Sequence, residues 1–459
     1  MLARHIGLRG EEAAEPLLCR AQLSVMIVLL DTTVFGADAL CGGDAWQTLV
    51  LAAPIWGVRI VTTEVVIEEA IGNYEREVKA ARTGLKRWAD KRLGTLGLWD
   101  AFRSADEVLA DGAAHYAERL RDRLTAANIQ VLPVAEIPHI DLVKRASARR
   151  RPCNDKGDGY RDTLNWLILL ELAGAEKEPI IWVSANTTDF GSGRDDGGLE
   201  FHPQLVEDLE PVAALDRVSW QLTLADVVIS LAAEHALGSE SDIKQIKEKV
   251  RNASVLEFLE RELIPSAIRQ RVNARQCALP RETISASFRA MENVRNLKLT
   301  LKGIVPGERG IAEFTVEVDA GIDATLVLPA DPSGTEAVTS SRYINKPLLL
   351  RGLLTLGQFG NPEGAEIANI ESMPDDPGRS EWQAYLAASD ALRTLAEALR
   401  PMQQNQEAFR RMAEAIGSFQ QNQEIFRRWG AGTGAQTPSD ENADPETDDD
   451  HEGGEDDDK

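Results

Sequence analysis

The sequence predicts an α/β protein built on a parallel sheet, followed by a β-rich region and a helical C-terminal segment. Three observations carry this reading. Short apolar runs end in acids, the same arrangement recurs between helical stretches, and after residue 280 the hydrophobic period switches to two. The chain of 459 residues is long enough for two or three domains. The expected divisions are an N-terminal extension (1–24), an α/β domain (25–235), a helical connector (236–280), a β-rich accessory domain (281–370), a helical segment (380–429) and a disordered acidic tail (430–459).

The α/β domain opens on VMIVLLDTTVF, Val25 to Phe35. Six successive apolar residues cannot all face one side of an alternating strand, so this run reads as a strand buried on both faces of a parallel sheet. Asp31 stands at its C-terminal end, where open α/β sheets place ligands. Taken singly, such an Asp reads as the N-cap of the next helix. Ala45–Ala53 is an apolar helical segment that Pro54 and Gly57 should break. Val58–Thr63 (VRIVTT) reads as a second strand, and Glu64–Tyr74 opens a helix carrying Glu68 and Glu69. The helix dipole accounts for an acid at Glu64 but not for one a turn later.

Residues 75–130 are charged and helical. Lys79, Arg82, Lys86, Arg87, Lys91 and Arg92 form a basic stretch there, either a solvated helix face with paired acids or a phosphate-contacting arm. Ile129–Val134 is a short extended segment. Asp141–Arg151 is strongly basic and leads into PCNDKGDGYRDTL, whose Gly157 and Gly159 mark a loop before an apolar helix over Thr163–Ala173. Pro179–Ser184 (PIIWVS) is a further buried strand, running into Asn186 and Asp189.

Four β–α junctions thus supply Asp31, Glu69, Asp162 (with Asp158 nearby) and Asp189 (with Asn186 nearby). On one parallel sheet these acids converge at one edge. Converging carboxylates repel one another unless a cation is bound, and hard oxygen donors suit Mg²⁺ or Mn²⁺.

At this point the motifs LLDTTVF, VVIEEAIGNY, KGDGYRDTLNWLILLE and IIWVSANTTDF resemble those of the PIN domain, closest to a bacterial PIN-like branch with a GYRD signature. The resemblance covers roughly residues 25–235. It implies a Rossmann-like α/β/α sandwich and a metal-dependent ribonuclease site. Asp31, Glu69, Asp162 and Asp189 then take the catalytic, metal-binding positions, with Glu68 as the alternative in the second motif. Ser184, Asn186 and Asp158 take supporting places, and Asn186 stands where some members have an acid. The implied reaction is RNA phosphodiester hydrolysis with Mg²⁺ or Mn²⁺, in a toxin-like, stress or phage-defence setting. Lys144, Arg145, Arg149, Arg150, Arg151 and Arg161 are the expected RNA-binding cations. The rival expectation is a PIN fold that has lost efficient catalysis and serves as an RNA-binding or scaffold module. A nucleotide-binding α/β protein is disfavoured, since no GxGxxG or GxxxxGK follows a strand.

Beyond the fourth motif, His202 reads as a loop or packing residue rather than a ligand. Leu222–His235 reads as a helix closing the domain, and Asp242–Arg271 as amphipathic helix interrupted near Pro265. ETISASFRA, NLKLTLKGIV, GIAEFTVEVDAG and ATLVLPA alternate at period two between turn residues, as antiparallel strands do. This β region holds no His, Cys or paired-acid cluster, so packing or binding is expected of it. QQNQEAFRRM at Gln403 recurs as QQNQEIFRRW at Gln420, within helices expected to mediate homo-oligomerisation or pack onto the body. An inhibitor protein is a further expected partner.

Composition limits the alternatives. The net charge is −24, and the stretch Ser439–Lys459 alone holds twelve acids and one Lys, so much of the excess lies in the tail. Cys19, Cys41, Cys153 and Cys277 show no zinc or disulfide spacing. The absence of a signal-like leader and of long apolar runs leads to the expectation of a cytoplasmic protein without a membrane span.

Overall fold

The computed structural model describes residues 26–88, 97–134, 136–154, 156–192, 199–235, 240–268, 272–305, 309–328, 337–385 and 387–388. The N-terminal extension, Lys91, Arg92, residues 389–429 and the acidic tail lie outside them.

Five strands form a parallel sheet: β1 (Met26–Leu30), β2 (Val58–Thr63), β3 (Gln130–Leu132), β4 (Ile180–Val183) and β5 (Val218–Gln221). Their order is β3-β2-β1-β4-β5, with Val28 beside Ile60 on one side and beside Ile181 on the other. Burial on both faces follows from the unbroken apolar run. Val28 and Leu30 enter one core with Ile60 and Val183, while Ile27 and Leu29 enter the opposite core with Trp166 and Trp182. The second core is strongly aromatic, with Phe190 set edge-on to Trp182 at 4.4 Å and Phe201 stacked on Trp220 at 5.4 Å.

The connecting helices are α1 (Thr32–Ala37), α2 (Asp44–Trp56), α3 (Glu64–Trp88), α4 (Trp99–Ala114), α5 (Tyr116–Ala126), α6 (His139–Ser147), α7 (Tyr160–Ala175), α8 (Thr187–Phe190), α9 (Pro203–Leu209) and α10 (Leu224–Glu234). Pro54 does not break α2 as expected; it sits in the last turn, and Gly57 ends the helix in the left-handed conformation at φ 67°. Strand β5 escapes the sequence reading because VSWQ alternates polar Ser219 and Gln221 with its two apolar residues, whereas the equally short β4 is the unbroken apolar run IIWV. Thr223 caps α10 by accepting the Asp226 backbone N–H at 3.1 Å.

A second sheet is antiparallel, in the order β6 (Thr283–Val305), β7 (Arg309–Leu328), β8 (Ala337–Leu356), β9 (Pro362–Ser372). Ala312, Phe314, Val316, Val318 and Ala320 of β7 are all buried, the period-two face seen in the sequence. They pack with Val255, Leu259 and Leu263 of a helical segment running over 252–267, and that segment stays helical through Pro265. The α/β layer and this sheet belong to one compact unit. Val305, Ile311, Leu353 and Ala368 share a core with Leu224–Ala232 of α10. Arg351 Nη2 meets Asp226 Oδ1 at 2.5 Å across the junction, and Glu366 Oε2 accepts the Ala45 backbone N–H at 3.0 Å. No helix among the described residues is long and apolar enough to cross a membrane.

Candidate active site

Strand order reverses between β1 and β4, and open parallel sheets leave a crevice at that point. Asp31 leaves the C-terminal end of β1 and is 4 % exposed. Asp31 occupies the N-cap position of α1 but makes no side-chain capping bond there, so capping alone does not account for its carboxylate. Instead Oδ2 accepts from Ser184 Oγ at 2.7 Å and from Thr33 Oγ1 at 3.3 Å, and Oδ1 accepts from Asn165 Nδ2 at 3.3 Å. Thr33 Oγ1 also receives the Ala185 backbone N–H at 2.9 Å, which ties the two loops together. Burial raises the Asp31 carboxyl above the usual aspartate range; the Ser184 bond opposes this and the Glu69 charge adds to it.

Glu69 reaches the same place from α3. Its Oε2 accepts from Thr32 Oγ1 at 2.8 Å and its Oε1 pairs with Arg161 Nη1 at 2.8 Å. Glu68, the alternative in this motif, turns away with Glu64 to Arg121, at 2.8 and 2.5 Å respectively. Successive helical residues differ by about 100° in direction, so only one of two adjacent acids can face the crevice.

Asp162 stands in the first turn of α7 and Asp189 in α8. Asn186 lies between them: its Nδ2 donates to Asp162 Oδ1 at 3.1 Å and to Asp189 Oδ2 at 3.0 Å, while its Oδ1 caps α8 at the Asp189 N–H. Burial, then the charges of Asp189, Asp31 and Glu69, push the Asp162 carboxyl up to about 6 against the Asn186 hydrogen bond. Gly159 makes the start of α7 possible. Its φ is 119°, and a Cβ there would meet Pro152 O at 2.9 Å and Cys153 Cα at 3.1 Å.

The structure therefore brings Asp31, Glu69, Asp162 and Asp189 together, with Ser184 and Asn186 between them. Asp158 is exposed, and among the described contacts nothing ties its carboxylate to this cluster. The expected RNA-binding cations divide. Arg145 and Arg150 both bind Asp208, which also accepts from Trp166 Nε1 at 2.9 Å. The Arg145 side chain is 9 % exposed, so this pair braces α6 and α9 against the aromatic core. Lys144 pairs with Asp141 at the surface, and Arg149 is exposed. Arg151 stands 3.7 Å from Asp189, and Arg161 holds Glu69. His202 caps α9 by accepting the Gln204 N–H at 3.2 Å.

Sequence reasoning missed Asn165, Thr32 and Thr33. Asn165 follows Asp162 by three residues and therefore shares its helix face. A lone amide inside the apolar run TLNWLILLELA was the available signal.

The donor set is oxygen throughout and acidic, with Asp31 buried and Glu69, Asp162 and Asp189 half-buried, which is the chemistry a hard divalent cation requires. Among the described residues no group of three or more His, Cys, Asp or Glu side chains is set to hold a metal ion; Ser184, Asn165, Asn186 and Arg161 bind the carboxylates by hydrogen bonds and an ion pair.

Residues 28–190 match the family model of the PIN domain, in agreement with the motif resemblance; the match does not resolve the GYRD-bearing branch. The fold is thus of nuclease type. No curated protein and no solved structure matches the chain.

Proposed function

We propose that the PIN domain is a metal-dependent endoribonuclease acting on single-stranded RNA. One observation carries the reading: three carboxylates from the β1–α1, β2–α3 and β4–α8 connections, and Asp162 from the first turn of α7, which follows α6 and not a strand as the sequence suggested, meet where strand order reverses, and their mutual repulsion helps raise Asp162 to about 6. Such a set is costly in the free protein and is relieved by a divalent cation.

Asp31, Glu69, Asp162 and Asp189 would hold the ion, Mg²⁺ or Mn²⁺. A bound ion of this kind lowers the pKa of a water and stabilises the charge that develops on a phosphodiester. The chain's own residues supply position. Ser184 and Asn165 fix Asp31 from both of its oxygens. Asn186 keeps Asp162 and Asp189 at a set separation. The Asp162 carboxyl, held up at about 6 without the ion, would give up its proton when the ion binds. Arg151 and Arg161 stand at the rim as cations for an RNA phosphate.

A second reading has its own observation. Asn186 donates to two of the acids and Arg161 occupies Glu69, so the carboxylates already have internal positive partners. That arrangement suits a weakly catalytic PIN fold serving as an RNA-binding or scaffold module. The test is cleavage of a mixed single-stranded RNA by the purified protein in Mn²⁺, Mg²⁺ or EDTA, beside Asp31→Asn and Asp162→Asn. Cleavage that requires metal and disappears in both variants supports the nuclease. RNA binding without cleavage in any metal supports the second reading, and wild-type cleavage by either variant refutes the site.

A further inference from the structure

Arg145 and Arg150 are engaged by Asp208, whereas α3 carries cations that no acid holds. The helix buries Val78 and packs Tyr74 against Tyr116 at 3.9 Å. At 3.6 residues per turn, Arg76 and Arg87 project within about 20° of the direction of Glu69, roughly opposite that buried face. Lys79 and Lys86 lie about a quarter turn to one side. Arg76, Lys79, Thr83, Lys86 and Arg87 are all exposed, whereas Arg82, on the packed side, is spent on Asp106. Among the described residues no acid lies within ion-pairing distance of Arg76, Lys79, Lys86 or Arg87, and Arg76 bonds only to Asn73. Glu75 projects within about 20° of Lys86 and stands one turn before Lys79, at the border of this sector, while Glu77 lies on the other side of it. Cations outnumber acids along this sector, where Glu75 alone of the α3 acids beyond Glu69 borders it and Asp106 of α4 acts on Lys86 from beside it, and the sector starts at an acid of the candidate site.

We infer that this stripe of α3 is the track along which the phosphodiester backbone of single-stranded RNA leaves the acid cluster. The inference rests on the nuclease reading and adds the path of the substrate. At 1.5 Å per residue the cations extend from about 10 Å to about 27 Å beyond Glu69, so the contacts lie several nucleotides from the scissile bond. The surface reads backbone charge, so the track contributes affinity without sequence preference.

The test replaces Arg76, Lys79, Lys86 and Arg87 together by Gln in the full chain. Binding of a labelled 20-nucleotide oligouridylate is measured by anisotropy in EDTA across 50–200 mM salt, and its cleavage in Mn²⁺. The control removes the same number of exposed cations elsewhere: Lys244, Lys247, Arg261 and Arg342 to Gln. Four lost phosphate contacts flatten the slope of log K against log salt by about 2.8, so wild-type affinity should fall about fifty-fold more than the variant's across that salt range. The control should keep the wild-type slope, and both proteins should keep the wild-type thermal midpoint. An unchanged slope in a variant whose wild-type parent cleaves overturns the track and leaves the nuclease reading standing. An equal flattening in the control also overturns the track, since the effect would then be one of net charge. A wild-type protein that neither binds nor cleaves overturns both.

Discussion

Replacing Asp162 by Asn should stabilise the metal-free protein and do so more strongly as pH rises. The Asp162 carboxyl is raised from an ordinary 3.8 up to about 6 by burial and by three neighbouring acids. The folded value lies above the unfolded one, so the unfolded chain gives up this proton first. Stability from the group is complete below about pH 4 and is lost as pH climbs through 6. A gap of about two units at 1.36 kcal/mol each comes to about 3 kcal/mol, and partial solvent exposure trims it to about 2. Asparagine keeps the shape, can still pair with Asn186 through its carbonyl, and carries no charge to desolvate. The assay is urea unfolding in EDTA at several pH values. Between pH 4.5 and 7.5 the variant's advantage over wild type should grow by about 1–2 kcal/mol. A pH-independent difference, or a variant less stable than wild type at pH 7.5, would refute the claim that this acid is held against repulsion. Millimolar Mn²⁺ should erase much of the difference by stabilising the wild type selectively, as any ligand of the folded state does.

Other consequences follow from particular contacts. Ser184→Ala leaves Asp31 Oδ2 without its shortest hydrogen bond in a buried site, and should cost about 1–3 kcal/mol in chemical denaturation. Arg351→Met strands Asp226, which is 8 % exposed, at the junction of the two sheets; a loss of about 2–3 kcal/mol is expected, and a smaller loss in the double variant with Asp226→Leu would show that the pair is the cause. Gly352→Ala would set a Cβ 2.2 Å from Glu366 O and 2.7 Å from the Phe314 ring, so β8 and β9 must part; the thermal midpoint should fall by several degrees, and an unchanged midpoint would contradict this packing.

Much of this protein was readable from residue order because the cause was local. A run such as MIVLL has no polar face to give to water, so it had to be a strand covered on both sides, and the acid after it had to lie at the sheet edge. The same reasoning found β2 and β4, the glycine-marked start of α7, and the period-two face of the second sheet. β5 failed because polar Ser219 and Gln221 interrupt its short apolar pattern. Arg145 and Arg150 were misleading because charge in a sequence does not reveal its partner: Asp208, some sixty residues on, claims both.

Sequence by itself determined the buried strands β1, β2 and β4 and offered Asp31, Glu68 or Glu69, Asp162 and Asp189 as candidates, since strand pattern follows from side-chain chemistry and periodicity within about ten neighbours and the motifs carry the acids. Only the tertiary structure decided that Glu69 rather than Glu68 faces the crevice, that Asn165 and Ser184 grip Asp31, and that Asn186 bridges Asp162 and Asp189. These depend on angles and distances between elements far apart in the chain, which are set when apolar faces pack and not before.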